Sequence, residues 1–182
     1  MIDPFERKSV FVDTSTVEGA NEGLFAKRHF RPGDLVSYFS GQRTLQDLIL
    51  HDNMTVSEMS EAGSYYFNLW NNCVGWWKCT KDVMLEIPHH YRSYLNFRRT
   101  LGHKANHKFE ENNVFYETLF HPALGPIPCL VADKEIHPGD EIFSDYMYEL
   151  ETADNWYRQQ YYEVYGTTED NLEETKKGLV RN

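Results

Sequence analysis

The sequence predicts a mainly β (α+β) domain of short strands, with a helix near its C-terminal end. Three observations carry that expectation. The same corner recurs in two strand–turn–strand units: Arg31-Pro-Gly-Asp34 precedes Leu35-Val-Ser-Tyr-Phe39, and His137-Pro-Gly-Asp140 precedes Glu141-Ile-Phe143. Pro-Gly-Asp is a turn signal, and short apolar runs on either side of it read as strands. No internal repeat, low-complexity linker or parallel βαβ pattern interrupts this alternation of brief strands and turns. Beyond Asp154 the pattern changes: Asp154 or Asn155 can cap a helix, and Trp156, Gln160 and Tyr161 mark one face.

Taken in order, residues 1–8 form an N-terminal extension, and Ser9-Val-Phe-Val12 reads as the first strand. Gly19-Ala-Asn-Glu-Gly23 is a tight loop, after which Leu24-Phe-Ala-Lys27 begins a second strand. Residues 46–60 are polar and fit helix or loop, and residues 65–77 are aromatic and Asn-rich without a clear period. Val83-Met-Leu-Glu-Ile87 reads as a strand stopped by Pro88. Tyr91, Tyr94 and Leu95 have the i, i+3, i+4 spacing of a short helix over residues 90–97. Residues 114–120 alternate weakly and end at His121-Pro122, and Ile127-Pro-Cys-Leu-Val131 leads into the second Pro-Gly-Asp corner. The last dozen residues are charged, and a frayed end is expected there.

A chain of 182 residues suits one domain with a substantial core. Its net charge of −10 and pI near 5.2 argue against a nucleic-acid surface and suit a basic peptide or protein partner. Acidity concentrates late: residues 149–174 hold eight acidic side chains against the single Arg158. No apolar run approaches the roughly 18 residues of a membrane span. The start, Met1-Ile-Asp-Pro-Phe-Glu-Arg-Lys8, lacks the basic and apolar regions of a secretory signal. Three cysteines, Cys73, Cys79 and Cys129, are too few for a disulfide framework, so reduced thiols are expected.

The stretch Leu101-Gly-His-Lys-Ala-Asn-His-Lys-Phe109 reads poorly as core. Asn106 and His107 stand where packing alone would place aliphatic residues. Downstream, Tyr146 and Tyr148 are two apart, so an extended segment would aim both hydroxyls at one face. The combination points to a polar ligand site beside an aromatic channel. His103 and His107 share helical metal-ligand spacing, yet the intervening Lys-Ala-Asn lacks a glutamate base, and no metal is assigned. Nucleophilic chemistry is no better supported. There is no Gly-x-Ser-x-Gly, and Cys129 lies in an apolar strand as core.

Read together, Glu22-Gly-Leu-Phe25, Phe39-Ser-Gly41, Leu101 to His107, His121-Pro122, Gly125-Pro126, Tyr146-Met-Tyr148 and Trp156-Tyr157 stand in the order found in SET-domain lysine methyltransferases. The chain resembles that family from about Ser9 to Tyr162. The likeness is closest to the branch in which MORN repeats precede the SET domain and histone lysines are monomethylated. No MORN repeats stand in this sequence, so the catalytic half alone is expected. The resemblance implies a SET fold of short β-sheets over residues 9–150, with a C-terminal pseudoknot. A helical cap and tail would follow over residues 151–182. It also implies S-adenosylmethionine as methyl donor, with S-adenosylhomocysteine as product. Carried over by position, Ala20 and Glu22 would contact the donor, and Lys104, Asn106 and His107 would hold its amino-acid end and adenine. Trp156 would stack on the adenine. Tyr146, Tyr116 and Tyr148 match the tyrosines around the lysine channel, with Tyr146 as the central catalytic one. His103 is expected to pack rather than touch the donor.

Departures from the family pattern sharpen these expectations. Asn21 replaces the first glycine of a Gly-x-Gly pair, and Asn tolerates left-handed geometry. Lys108 replaces a serine after Asn-His, and one extra residue falls within residues 110–113. Phe39 stands where the branch has a channel tyrosine, and residues 71–78 match the peptide-binding strand poorly. Tyr116 falls at a product switch where tyrosine favours monomethylation. The expected partner is a basic peptide or protein such as a histone tail, without nucleic acid or membrane. A monomeric, nuclear or cytoplasmic protein is expected. Two other readings remain open: a catalytically weak SET-fold binding module, and metal-dependent hydrolysis through the histidines.

Overall fold

The computed structural model describes residues 3–45, 66–68, 83–87, 95, 99–122, 125–148, 150 and 153–166. Apart from residue 95, the expected helix over residues 90–97 lies outside the described residues, as do the helix-or-loop segment 46–60, the divergent stretch 71–78, Cys73, Cys79 and the charged tail. The chain divides into two compact units, Met1–Asp145 and Tyr146–Asn182.

The first unit begins with a helix, α1 (Pro4–Ser9), inside the stretch read as an extension. Its signals are present in the sequence. Asp3 caps it by accepting from Phe5 N at 2.8 Å, and Pro4 occupies the first helical position, where no N–H is needed. Strands β1 (Val10–Thr14) and β2 (Glu22–Ala26) follow as an antiparallel pair in register Val10↔Ala26 to Thr14↔Glu22. Then come β3 (Leu35–Tyr38), β4 (Gln42–Leu45), β5 (Tyr66–Asn68) and β6 (Val83–Glu86). A 3₁₀ turn, Gly102–Lys104, leads into the two-residue β7 (Asn106–His107). The unit closes with β8 (Val114–His121), β9 (Gly125–Ala132) and β10 (Glu141–Ser144).

These strands form a sheet in the order β1-β2-β10-β8-β9-β3, with β7 added to β10, and a smaller sheet β4-β6-β5. Most neighbours are antiparallel. The exception is β10, which runs parallel to both β7 and β8 while lying antiparallel to β2. Segments far apart in sequence therefore meet along one four-residue strand. The core beside it is aliphatic and aromatic: Leu24, Phe30, Val36, Leu101, Leu130, Ile136 and Ile142 are fully buried or nearly so.

The two Pro-Gly-Asp corners fold alike. In each, glycine takes a positive φ (88° at Gly33, 93° at Gly139), which the third position of a type II turn demands. In each, the aspartate carboxylate accepts from the residue before proline, Arg31 N at 3.0 Å and His137 N at 2.8 Å. Gly33 N donates to Ala132 O and Gly139 N to Ala26 O, both at 2.8 Å, so each corner is stitched to a neighbouring strand end. A bridge with mutual bonds, Phe30 N to Ile136 O at 2.9 Å and Ile136 N to Phe30 O at 3.0 Å, couples the approaches to the corners.

The buried glutamate of α1 is the polar exception in this core. Glu6 is fully buried and accepts from Ser37 Oγ at 2.9 Å and Tyr38 N at 2.7 Å. Burial pushes its carboxyl up to about 8, outweighing those hydrogen bonds.

The second unit holds α2 (Asn155–Tyr165), capped in position by Asp154 and ended by Gly166 at φ 63°. The sequence placed a face on Trp156, Gln160 and Tyr161. The structure corrects this: Tyr157 is the buried residue of the helix, and Trp156 keeps 39% of its surface exposed. Gln160 and Tyr161 are half-buried and lie three and four residues beyond Tyr157, so the inward face keeps both and has Tyr157 in place of Trp156. No helix among the described residues is long and apolar enough to cross a membrane.

Candidate active site

Asn106 sits where three distant segments converge. Its side-chain amide donates to Ser15 Oγ and to Glu22 O, both at 2.9 Å, with Glu141 Oε1 at 3.4 Å. Glu141 is the hub of this knot. Its Oε1 accepts from Ser15 Oγ at 2.6 Å, and its Oε2 accepts from Thr16 N at 2.7 Å and Thr16 Oγ1 at 2.5 Å. These short bonds gather on one carboxylate in a part-buried setting. Sequence reading selected Asn106 but missed Glu141, Ser15 and Thr16. One signal was available: Glu141 is a charge opening the strand Glu-Ile-Phe-Ser, all four residues of which are buried.

The knot fixes the loop between β1 and β2. Asn21 has φ 59°, the left-handed geometry that asparagine was expected to tolerate in place of glycine. Ser15 N donates back to Asn21 O at 2.9 Å, closing the loop. Gly23 has a separate reason. A Cβ there would lie 2.2 Å from Glu141 Oε1, so only glycine lets the carboxylate reach Ser15 and Thr16. Gly102 plays a like part at the other end, where a Cβ would lie 2.7 Å from the Tyr38 carbonyl oxygen. The 3₁₀ turn thereby packs directly on the end of β3.

Of the residues assigned to a donor site, Ala20, Glu22, Lys104, Asn106 and His107 all lie in the first unit. Lys104 is buried, and its Nζ pairs with Glu22 Oε2 at 2.7 Å. His107 is buried on β7 with its ring edge-on to Phe109, centroids 4.1 Å apart. Burial lowers its pKa, and the Asp145 carboxylate, 3.6 Å from Nδ1, opposes that shift. His103 is buried in the 3₁₀ turn, and burial drives it down to about 3. The turn also removes the helical premise of the His103–His107 pair.

The residues that the resemblance assigns to a lysine channel show a different texture. Phe39 is buried with its ring 6.4 Å from that of Tyr116 and 6.3 Å from that of His103, edge-on to both. The Tyr116 hydroxyl lies 3.3 Å from Ser144 Oγ, and burial holds the phenol above its ordinary pKa. Ser144 is a further residue that the sequence did not single out. Cys129 is pushed up to about 12 by burial, which fits core rather than nucleophile.

In the second unit, Tyr146, Tyr148 and Trp156 are brought together. The Tyr146 ring lies 5.4 Å from Tyr148 and 6.5 Å from Trp156, and Tyr157 stands 5.1 Å from Tyr148. The segment is not extended as expected: Met147 between the tyrosines has φ 50°. The tyrosines therefore come together through a left-handed residue rather than by strand alternation.

The sequence profile of the SET domain matches residues 21–147 of this chain, more than half its length. The chain belongs to the SET domain family. Its mainly β SET fold agrees with solved structures. Similar folds occur in a humanized mutant of the Chaetomium thermophilum Polycomb Repressive Complex 2 bound to the inhibitor GSK126 (TM-score 0.53, 19% identity, 77% of this chain and 15% of that one). Another is ctPRC2 in an autoinhibited conformation bound to S-adenosylmethionine (TM-score 0.55, 17% identity, 84% and 16%). In sequence, this SET domain is 30% identical over 166 residues to the histone-lysine N-methyltransferase SETD7 of Halocynthia roretzi. That match covers 87% of this chain and 39% of that protein, so the chain spans well under half the length of that relative.

Proposed function

We propose that this SET domain transfers a methyl group from S-adenosylmethionine to the side-chain amine of a protein lysine. The observation that carries the reading is the position of Asn106–His107. This pair lies parallel beside β10, and the Asn106 amide ties the β1–β2 loop to Glu141. One knot thus joins the segments that the family resemblance assigns to the donor, and the SETD7 relative supports the same chemistry. The residue types suit the ligand. A Lys104–Glu22 pair can answer a zwitterionic amino-acid end, and a bent loop offers backbone donors and acceptors.

When bound, S-adenosylmethionine supplies a methyl group whose bond to sulfur breaks as the bond to lysine nitrogen forms, leaving S-adenosylhomocysteine and a proton. The protein's part is to present a neutral amine in line. Desolvation lowers a lysine pKa, and an aromatic lining provides it. Tyr116, neutral because it is buried, can donate to Ser144 and offer its oxygen lone pairs to an amine N–H. That contact turns the nitrogen lone pair away from the tyrosine. Alignment of this kind accounts for a large part of a bimolecular barrier. We assign Tyr146 the central catalytic role, with Tyr148 beside it.

The substrate in this reading is a basic protein, for which a histone tail is the first choice, matched to a chain of net charge −10. Monomethylation is the proposed product, favoured by Tyr116. Calorimetry with S-adenosylhomocysteine and a tritiated-methyl assay on histones test it. Binding and lysine labelling are expected, and Tyr146→Phe should keep cofactor affinity while turnover drops on the order of 100-fold. Absence of S-adenosylhomocysteine binding would sink the proposal. One observation favours a second reading: Phe39 buries a ring without a hydroxyl in the channel, as a weakly catalytic binding module would. That module would bind cofactor and a lysine peptide yet leave the peptide unlabelled.

A further inference from the structure

Away from the knot, three ligand-type side chains meet on the coupled approaches to the two Pro-Gly-Asp corners. His29, Glu135 and His137 each offer one ligand atom, all within 4.8 Å of one another. We propose that they form a site for a divalent late transition-metal ion, with zinc the best fit, clasping the β2–β3 and β9–β10 connections.

Local geometry explains why these side chains meet. Phe30 and Ile136 exchange both backbone hydrogen bonds, so they are the hydrogen-bonded pair of an antiparallel bridge. Both are fully buried, so their neighbours face outward. His29 and His137 are then directly opposite at the next, non-hydrogen-bonded position, where side chains approach most closely. Their rings stand 5.2 Å apart. Glu135 lies diagonally from His29, with its Oε2 3.9 Å from His29 Nε2. The backbone beneath is held at both ends, because each chain turns at once into a stitched Pro-Gly-Asp corner.

The donor set selects the ion. Two imidazoles and one carboxylate suit zinc and its late first-row neighbours, whereas magnesium and calcium prefer all-oxygen sites. Zinc bonds of about 2.1 Å place tetrahedral ligands roughly 3.4 Å apart, so the side chains need to close by no more than about 1.4 Å. They are free to do so: the His29, Glu135 and His137 side chains are 41%, 61% and 66% exposed. Asp140 Oδ2 lies 3.7 Å from His137 Nδ1, a carboxylate beside the ring of the kind that supports metal-bound imidazoles. The nearby positive charge of Arg28 is already answered by Asp34 at 3.6 Å and by stacking over Phe30.

The test is calorimetric titration of the chelator-treated chain with zinc chloride, repeated with cobalt(II) to read tetrahedral visible bands. One saturable site is expected in the wild type. The double variant His29→Ala/His137→Ala should lose it, and Glu135→Gln should weaken it about tenfold or more. These exposed substitutions should leave the metal-free melting temperature unchanged, while zinc should raise it in the wild type alone. Zinc binding by the double variant at wild-type strength would place the ion elsewhere and overturn the proposal. Wild-type binding weaker than about 1 mM would overturn it as well.

Discussion

The two walls of the candidate site in the first unit are built on opposite principles. The donor side is a polar knot, in which the Glu141 carboxylate and the Asn106 amide together hold Ser15, Thr16 and the Glu22 carbonyl. The side assigned to the lysine channel is aromatic, with Phe39 and Tyr116 edge-on and the Tyr116 hydroxyl 3.3 Å from Ser144 Oγ. A knot of short hydrogen bonds fixes backbone shape and fails as a unit, because removing one member strands the rest. An aromatic wall built on ring packing tolerates the gain or loss of a hydroxyl. The family-divergent residue Phe39 sits on the tolerant wall, and Asn21, the divergent residue of the donor side, keeps the left-handed backbone its position needs.

The difference predicts a graded series. Glu141→Ala should be the costliest change, about 3 kcal/mol in denaturant melts with S-adenosylhomocysteine affinity down at least about tenfold, because several donors lose one acceptor. Wild-type stability and affinity in that variant would break the contrast between the walls. Gly102→Ala comes next at about 2 kcal/mol, since its new methyl group meets the backbone carbonyl of Tyr38 at 2.7 Å rather than a movable side chain.

Glu6 adds a pH-dependent term outside both walls. Its folded pKa of about 8 lies above the unfolded value of 4.5, so between those values the native state holds a proton that the unfolded chain releases. Stability should fall as pH rises across that window, by at most about 1.4 kcal/mol per pH unit from this group. Glu6→Gln should flatten the slope in thermal melts at a series of pH values; an unchanged slope would assign it to other groups. The smallest stability effects belong to the channel. Phe39→Tyr and Tyr116→Phe should each shift stability by less than about 1 kcal/mol, yet move product distribution in opposite directions. Mass spectrometry of a methylated peptide reads this: Phe39→Tyr should enrich the monomethyl product and Tyr116→Phe the higher states.

Legibility followed the range of the interaction. Turn chemistry is local, and both Pro-Gly-Asp corners, the strands beside them and the helix after Asp154 were visible from residue type alone. The strand-like reading of Tyr146 to Tyr148 failed because one left-handed residue, Met147, replaces alternation, and such a φ leaves little trace in sequence for a methionine. The face of α2 was read correctly at Gln160 and Tyr161 and wrongly at Trp156, whose place is taken by Tyr157. Helix α1 was missed although Asp3-Pro4 signalled it, since six residues give too little periodicity to outweigh a terminal location.

What the sequence determined by itself was the set of short strands, their turns, the helical end and, through the order of its motifs, the family. Those depend on propensity, capping and turn geometry within a few residues. The tertiary structure alone decided that Glu141, 126 positions from Ser15, holds Ser15 by a hydrogen bond beside Asn106, and that His29 and His137 face each other across a bridge. Both follow from sheet register, which is set by the burial of whole faces and cannot be read from any one segment.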